Sequence, residues 1–379
     1  MHLRTIHKEI FIRTLMVFIS VATACALLEA LVRFFPISDK MGWTMNPPVE
    51  TRVANTQPKM SGQKRVMVLG DSFTEWRDIT KHSYVRIAEK TLTNIEFINL
   101  GKGGTDIPDY YLNLVRYVDV LDPDLVLVGL YLGNDLKPNK MPIADPNFIN
   151  LNLKKPKIAP EPLRLIKKSV LANIIFRFGK EYIPFFRANT LNSLIRRASL
   201  QQNKSPDWVK LKLEQIPPDL LDAARSDKIN PWDLVSAMFV PDTYVTLANS
   251  APGTKGWQNI KAGLDDLLTL INFARIKSKK VGVVLIPPCT WVNEKYHRYF
   301  HRLGYTELGP VNTPVPMLEA LKVELSNHNI PYLDVLPELR SSNATLYLEN
   351  DIHLNMDGQA LLGSVVAKWL KDNQILWSP

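Results

Sequence analysis

Five short runs of mostly aliphatic residues constrain this chain more than any other feature. They are RVMVL at 65–69, IEFINL at 95–100, LVLVGLYL at 125–132, VGVVLIP at 281–287 and IPYLDV at 330–335. A strand with one wet face alternates apolar and polar residues. Runs that are apolar at nearly every position suit strands covered on both faces, as in a parallel sheet. The intervening stretches read as helices long enough for right-handed crossovers, which gives a doubly wound α/β fold. Ligands of such sheets gather at the carboxyl ends of the strands, so the chemistry is sought there.

The N-terminus sets the expected compartment. Residues 14–28 carry no charge, and the apolar character continues to Phe35 past Glu29 and Arg33. A helix over 14–35 spans about 33 Å, enough for a bilayer core. Glu29 and Arg33 lie four apart on one helix face and can pair near the membrane boundary. Arg4, Lys8 and Arg13 precede the run, which favours a cytoplasmic residue 1–13 segment and an exported remainder. The expectation is a single-pass cell-membrane protein with its catalytic part extracytoplasmic, in the periplasm of a Gram-negative source. A cleaved signal peptide, or lipidation at the weak box ending in Cys25, are the alternatives, with a buried core helix behind them. Pro36 ends the helix, and the polar, Pro/Asn-rich residues 36–63 read as a linker. Cys25 and Cys289 stand in unrelated contexts, so no disulfide framework follows.

From 64 to 379 the alternation of strand and helix is broken once, at about 136–256. That insertion holds 19 Lys/Arg against 10 Asp/Glu, an excess equal to the +9 of the whole chain. Its segment LRLIKKSVLANIIFRFGKEY at 163–182 interleaves basic and apolar residues. Such a segment can lie on anionic lipid or can be the solvated face of a packed helix, and the second reading is weighted slightly higher. No binding motif accompanies the charge, so a nucleic-acid role is not read from it.

Four fragments carry candidate chemistry. In VLGDSFTEW at 68–76, Ser72 follows the first strand directly, though Asp-Ser-Phe-Thr is also a sound helix cap. NLGKGGTD at 99–106 follows the second strand; its small residues allow close backbone approach, but its glycines do not make G-x-G-x-x-G and exclude a dinucleotide fingerprint. LGNDL at 132–136 follows the third strand, where the Asn134 amide can face a developing oxyanion or simply form a turn. In YLENDIHLN at 347–355, His353 has Asp351 two residues before it, so one loop can deliver a base and its orienter. His297 and His301 are four apart, as a zinc pair can be, yet no acidic or cysteine partner accompanies them, and they read as surface or packing residues. Singly each fragment is weak. Their common placement after the first three strands and before the last helix is the signal.

At these residues the chain resembles the SGNH, or GDSL-like, hydrolases, named for the Ser, Gly, Asn and His of four blocks. The resemblance falls on Ser72, Gly104, Asn134 and His353, and covers about 64–134 and 257–377. It implies a flavodoxin-like three-layer α/β/α sandwich and a serine esterase working through an acyl-enzyme. Ser72 would be the nucleophile, His353 the general base, and the Ser72 and Gly104 N–H groups with the Asn134 side chain the oxyanion hole. No metal or cofactor is required. Two departures stand out: Gly133 directly precedes Asn134, and Asn350 holds the family's usual acid position. Asp351 is expected to orient His353 in place of Asn350 or Glu349, because it has both the charge and the spacing. An ester is the expected substrate of a hydrolase. The alternatives are an O-acyltransferase acting on acylated cell-envelope glycans, and a catalytically silent membrane-bound binding module.

Overall fold

The computed structural model describes residues 46–76, 81–139, 141–153, 204–225, 246–277, 279–303, 313–349 and 351–376, with scattered positions between 16 and 30, 195 and 200, and 305 and 311. Five strands follow the five aliphatic runs: β1 (Lys64–Gly70), β2 (Ile95–Asn99), β3 (Leu125–Tyr131), β4 (Lys280–Ile286) and β5 (Tyr332–Asp334). All pairings are parallel, in the order β2-β1-β3-β4-β5. β5 is shorter than its apolar run. It lies at the sheet edge, and Pro331 before it has no N–H to donate, although its carbonyl still accepts from Val283.

Successive strand residues point to opposite faces, and both faces are apolar. Val66, Val68, Leu125, Leu127, Val284 and Ile286 pack on one side. There they meet helices α3 (Tyr84–Thr91) and α7 (Met356–Asp372), through Tyr84, Val85 and Ala88 and through Leu362, Val366 and Leu370. Met67, Leu69, Val126, Val128, Val283 and Leu285 pack on the other side. They are covered by α4 (Ile107–Leu121), α5 (Lys255–Ile276) and α6 (Pro316–Asn327), through residues such as Leu114, Leu267 and Leu321. Each such side chain removed from water contributes about 1.5–3 kcal/mol. The sheet is therefore the middle of three layers, which accounts for runs without alternation.

The expected linker at 36–63 does not run unstructured up to the first strand. Val49–Ala54 forms a short helix, α1, with Val49 buried and Arg52 turned into the domain. Its polar composition hid a role in binding backbone. The insertion is also stitched into the domain at the residues described. Ile143 N–H donates to buried Asp266 at 2.9 Å, and Val209, Leu213 and Leu220 join one of the two cores from helices Pro206–Leu213 and Pro218–Arg225. The segment 163–182 lies outside the described residues. So does half of the expected span at 14–35, whose described positions are helical and exposed. Among the described residues, no helix is long and apolar enough to cross a membrane.

Candidate active site

The sheet order places the candidates together before any side chain is considered. β1 lies between β2 and β3, so the loops that follow those two strands flank whatever follows β1. The strand order also reverses beside β1, the position where crevices form in doubly wound sheets. Ser72 opens a one-turn helix, α2 (Ser72–Glu75), directly after β1. Asp71 caps that turn, its Oδ1 accepting from Phe73 N–H at 2.9 Å. Asp-Ser-Phe-Thr is therefore a helix cap, and that cap presents Ser72 at the edge of the sheet. As the first helical residue, Ser72 has an N–H with no intrahelical acceptor.

His353 arrives from the opposite end of the chain. A bridge between Tyr347 and Leu354 folds 346–355 back on itself, with Leu348 N–H donating to the His353 carbonyl at 2.9 Å. Asn355 then caps α7 through Gly358 N–H, and its amide donates to the Thr345 carbonyl at 2.6 Å. The imidazole is thereby brought to Ser72: His353 Nε2 and Ser72 Oγ are 2.7 Å apart. On its other side, Nδ1 is 2.5 Å from Asp351 Oδ1, which also accepts His353 N–H at 3.0 Å. Nδ1–H donating to the carboxylate leaves Nε2 as the acceptor for the serine proton. Glu349 is turned to solvent beside Lys295, and Asn350 lies outside the described residues.

The remaining two expected residues sit in the flanking loops. Gly104 has φ +74°, a conformation that disfavours any side chain, and faces open space. The preceding residues approach α2 closely. A Cβ on Gly101 would lie 2.6 Å from Glu75 N, so only glycine fits there. Asn134 sits in the turn after β3, held by the buried Asp135, whose Oδ2 accepts from Tyr131 N–H at 2.8 Å and Tyr110 Oη–H at 3.0 Å. The Asn134 side-chain oxygen is buried and without a hydrogen-bond partner, the state of a polar group kept for a ligand or water.

Sequence reasoning missed the residues that lock these parts. Gln359, fully buried on α7, accepts Tyr84 N–H at 2.7 Å and donates to the Phe73 carbonyl at 3.1 Å, tying the helix after His353 to the turn of Ser72. Trp76 Nε1–H donates to the Leu354 carbonyl at 2.9 Å, one residue from His353. Phe73 stacks on Tyr131 at 3.9 Å and lies against the His353 ring at 5.0 Å. A Gln after Asp-Gly and a Trp after Thr-Glu carry no pattern that would have marked them. His297 and His301 lie one turn apart on the helix Glu294–Arg302, away from these residues in sequence and element. Among the described residues, no group of three or more His, Cys, Asp or Glu is placed to hold a metal ion.

Two buried carboxyls underlie the site. Burial pushes the Asp71 carboxyl up to about 6, against the opposing pull of Phe73 N–H and His353. Burial, and then the charge of Asp71, pushes Asp135 well above the ordinary carboxylate range. Asp71 therefore binds a proton more tightly folded than unfolded, where its pKa is about 3.9. Its contribution to stability is complete below about pH 4 and is lost as pH rises through 6. The difference amounts to about 3 kcal/mol. Asp71→Asn should reduce the fall in unfolding free energy between pH 4 and pH 8 by about that amount, read by urea denaturation. An unchanged pH dependence would show that Asp71 does not titrate in this way.

No family model and no curated protein matches the sequence. Solved structures that resemble it include a member of the lipolytic protein G-D-S-L family from Veillonella parvula, at 13% identity and TM-score 0.35, covering 80% of this chain and 97% of that one. A GDSL-like lipase from Bacteroides thetaiotaomicron follows at 11% and 0.37, covering 86% and 95%. A catalytic mutant of an acetylxylan esterase from Geobacillus stearothermophilus is similar at 10% and 0.38, covering 83% and 96%. At such identities and TM-scores these likenesses decide nothing about chemistry, which rests on the residues of this chain.

Proposed function

We propose that the protein is a serine-dependent hydrolase of carboxylic esters with an SGNH-type site. The observation that carries the reading is the continuous relay from Asp351 through His353 to Ser72, 2.5 Å and 2.7 Å long, at the carboxyl end of β1. His353 takes the Ser72 proton as Oγ attacks the ester carbonyl, and Asp351 holds the imidazole tautomer and stabilises its cation. The tetrahedral oxyanion is received by the Ser72 N–H, the Gly104 N–H and the Asn134 side chain; a single donor of this kind is worth about 3 kcal/mol. Collapse expels the alcohol, which takes its proton from His353 and leaves an acyl-Ser72. Water, activated by the same imidazole, then releases the acid. His353 and Asp351 are each about a quarter exposed at the side chain, which leaves water a path to the acyl-enzyme.

Turnover of short-chain aryl esters by the purified chain tests the reading, and no turnover across acetyl to octanoyl esters would reject it. Adding a sugar acceptor separates the alternatives. Acylated sugar in excess over free acid would place the protein among O-acyltransferases, and binding of acylated glycan without turnover would make it a silent module.

The chain is further proposed to be held in the cell membrane by residues 14–35, with the catalytic unit extracytoplasmic. The apolar run and its basic flank support this. The basic segment at 163–182 is proposed to touch anionic lipid, each basic residue near such a surface adding about 1 kcal/mol. In a Gram-negative host, protease added to intact spheroplasts should digest the catalytic unit, and detergent rather than salt should release the chain. Protection from protease, or release by salt, would contradict the arrangement.

A further inference from the structure

The backbone that carries Gly104 is held by a charged side chain from outside the sheet. Arg52, on α1, is about a tenth exposed at its side chain. Its Nη1 donates to the carbonyls of Asn99 at 2.7 Å and Gly101 at 2.9 Å, at the start of the glycine loop. Its Nε donates to the Pro47 carbonyl at 2.9 Å, and its Nη2 lies 3.6 Å from Glu75 Oε1. Glu75 belongs to the same helical turn as Ser72, and its N–H donates to the Asp71 carbonyl at 2.9 Å, so it moves with the serine. The other Glu75 oxygen accepts the Gly103 N–H at 2.6 Å. Gly103 lies beside the nucleophile: a Cβ there would be in van der Waals contact with Ser72 Cβ, at 3.6 Å.

The loop is thus gripped at both ends of 99–103 by one ion pair, and the pair is anchored to the turn of the nucleophile. Close packing of Gly101 on α2 and the Lys102 N–H bond to the Gly70 carbonyl at 3.0 Å also hold the start of the loop. A cavity of about 270 Å³ lies along the relay, lined by Arg52, Glu75, Lys102 and Thr105 among others, so filled core does not back the loop on that side. Beyond Gly101, the bond from Gly103 N–H to Glu75 therefore helps to set the height of Gly104 above Ser72.

We propose that Arg52 and Glu75 are positioning residues for the oxyanion hole, setting the Gly103–Gly104 backbone against Ser72. The inference rests on the esterase reading for its kinetic consequence, but not for its structural one. Arg52 contacts no reacting atom. Its effect passes through Glu75 and the glycine loop. A misplacement of about 1 Å in a catalytic group costs about 100-fold in rate, so the relay should act on kcat.

The test uses the full chain carrying Arg52→Met, Glu75→Gln, or both. Arg52→Met is expected to lower kcat about 10- to 100-fold with KM nearly unchanged. Glu75→Gln keeps an oxygen for Gly103 N–H but loses the ion pair, and should lose less. The double variant should be no worse than Arg52→Met alone, because both act through one loop. The acid limb of the pH–rate profile should not move. Hydrogen exchange of the 101–105 amides, followed by mass spectrometry, should quicken in both single variants. Additive losses, a shifted acid limb, or kcat within twofold of the parent in the folded variants would overturn the proposal. Unchanged exchange at 101–105 would overturn it too, whatever the kinetics. Should the parent chain hydrolyse no ester, the esterase reading fails, and the exchange result alone decides whether the relay holds the loop.

Discussion

Ser72→Ala should lower ester turnover by a factor on the order of 10⁴ to 10⁶ while leaving the unfolding midpoint close to that of the parent. In a serine protease, loss of the nucleophile costs about 2 × 10⁶ in kcat, and what survives comes from binding and the oxyanion hole. Folding should tolerate the change because Ser72 is half-buried and its hydroxyl bonds a His353 that is itself about a quarter exposed. The cap of its turn is supplied by Asp71 and not by Ser72 itself. Steady-state kinetics with an aryl acetate, beside thermal unfolding of the same preparation, reads both halves. A folded Ser72→Ala protein turning over at the parent's rate would remove the nucleophile from the mechanism.

Asp351→Asn is expected to have the second largest effect. Replacing the orienting Asp of a serine protease by Asn costs about 10⁴ in kcat, because the amide imposes the wrong imidazole tautomer. Asp351 is about a quarter exposed at its side chain, so water screens part of its charge and a loss of about 10²- to 10⁴-fold is expected. Its two neighbours should behave differently. Glu349 faces solvent beside Lys295, so Glu349→Gln should change turnover by less than about threefold, as exposed ion pairs contribute about 0–1 kcal/mol. Asn350→Ala should likewise spare turnover, since the carboxylate at hydrogen-bond distance from Nδ1 is that of Asp351. Near-normal kinetics for Asp351→Asn beside a collapse in either neighbour would reassign the acid.

The parts legible in the sequence were those with a repeating physical cause. A strand buried on both faces must be apolar at every position, so β1, β3 and β4 announced themselves and fixed a parallel sheet. A doubly wound sheet keeps its crevice at the carboxyl ends of its strands, which drew attention to the fragments holding Ser72 and Asn134, while the choice of Gly104 came from the family resemblance. His353 came from the same resemblance, and the sequence adds a carboxylate, Asp351, in its own loop. What stayed hidden depends on single long-range contacts with no period. Arg52 sits in a polar stretch, and its acceptors are carbonyls that any sequence would offer. Gln359 lies 286 positions from Phe73, yet bonds its carbonyl inside the core. Glu75 carries no sequence signal of its own, and only the approach of Gly103 shows what it holds. Helix α1 was read as linker because six residues are too few to show a helical stripe.

The central claim is that Ser72 is a nucleophile activated by His353, and covalent trapping tests it most directly. The full chain is incubated with a fluorophosphonate, which forms a stable adduct on an activated serine, and the modified residue is mapped by peptide mass spectrometry. The account predicts one adduct, on Ser72, with loss of ester turnover in proportion to labelling and no adduct in His353→Ala. Complete labelling at another serine, or full turnover retained by protein labelled at Ser72, would contradict it.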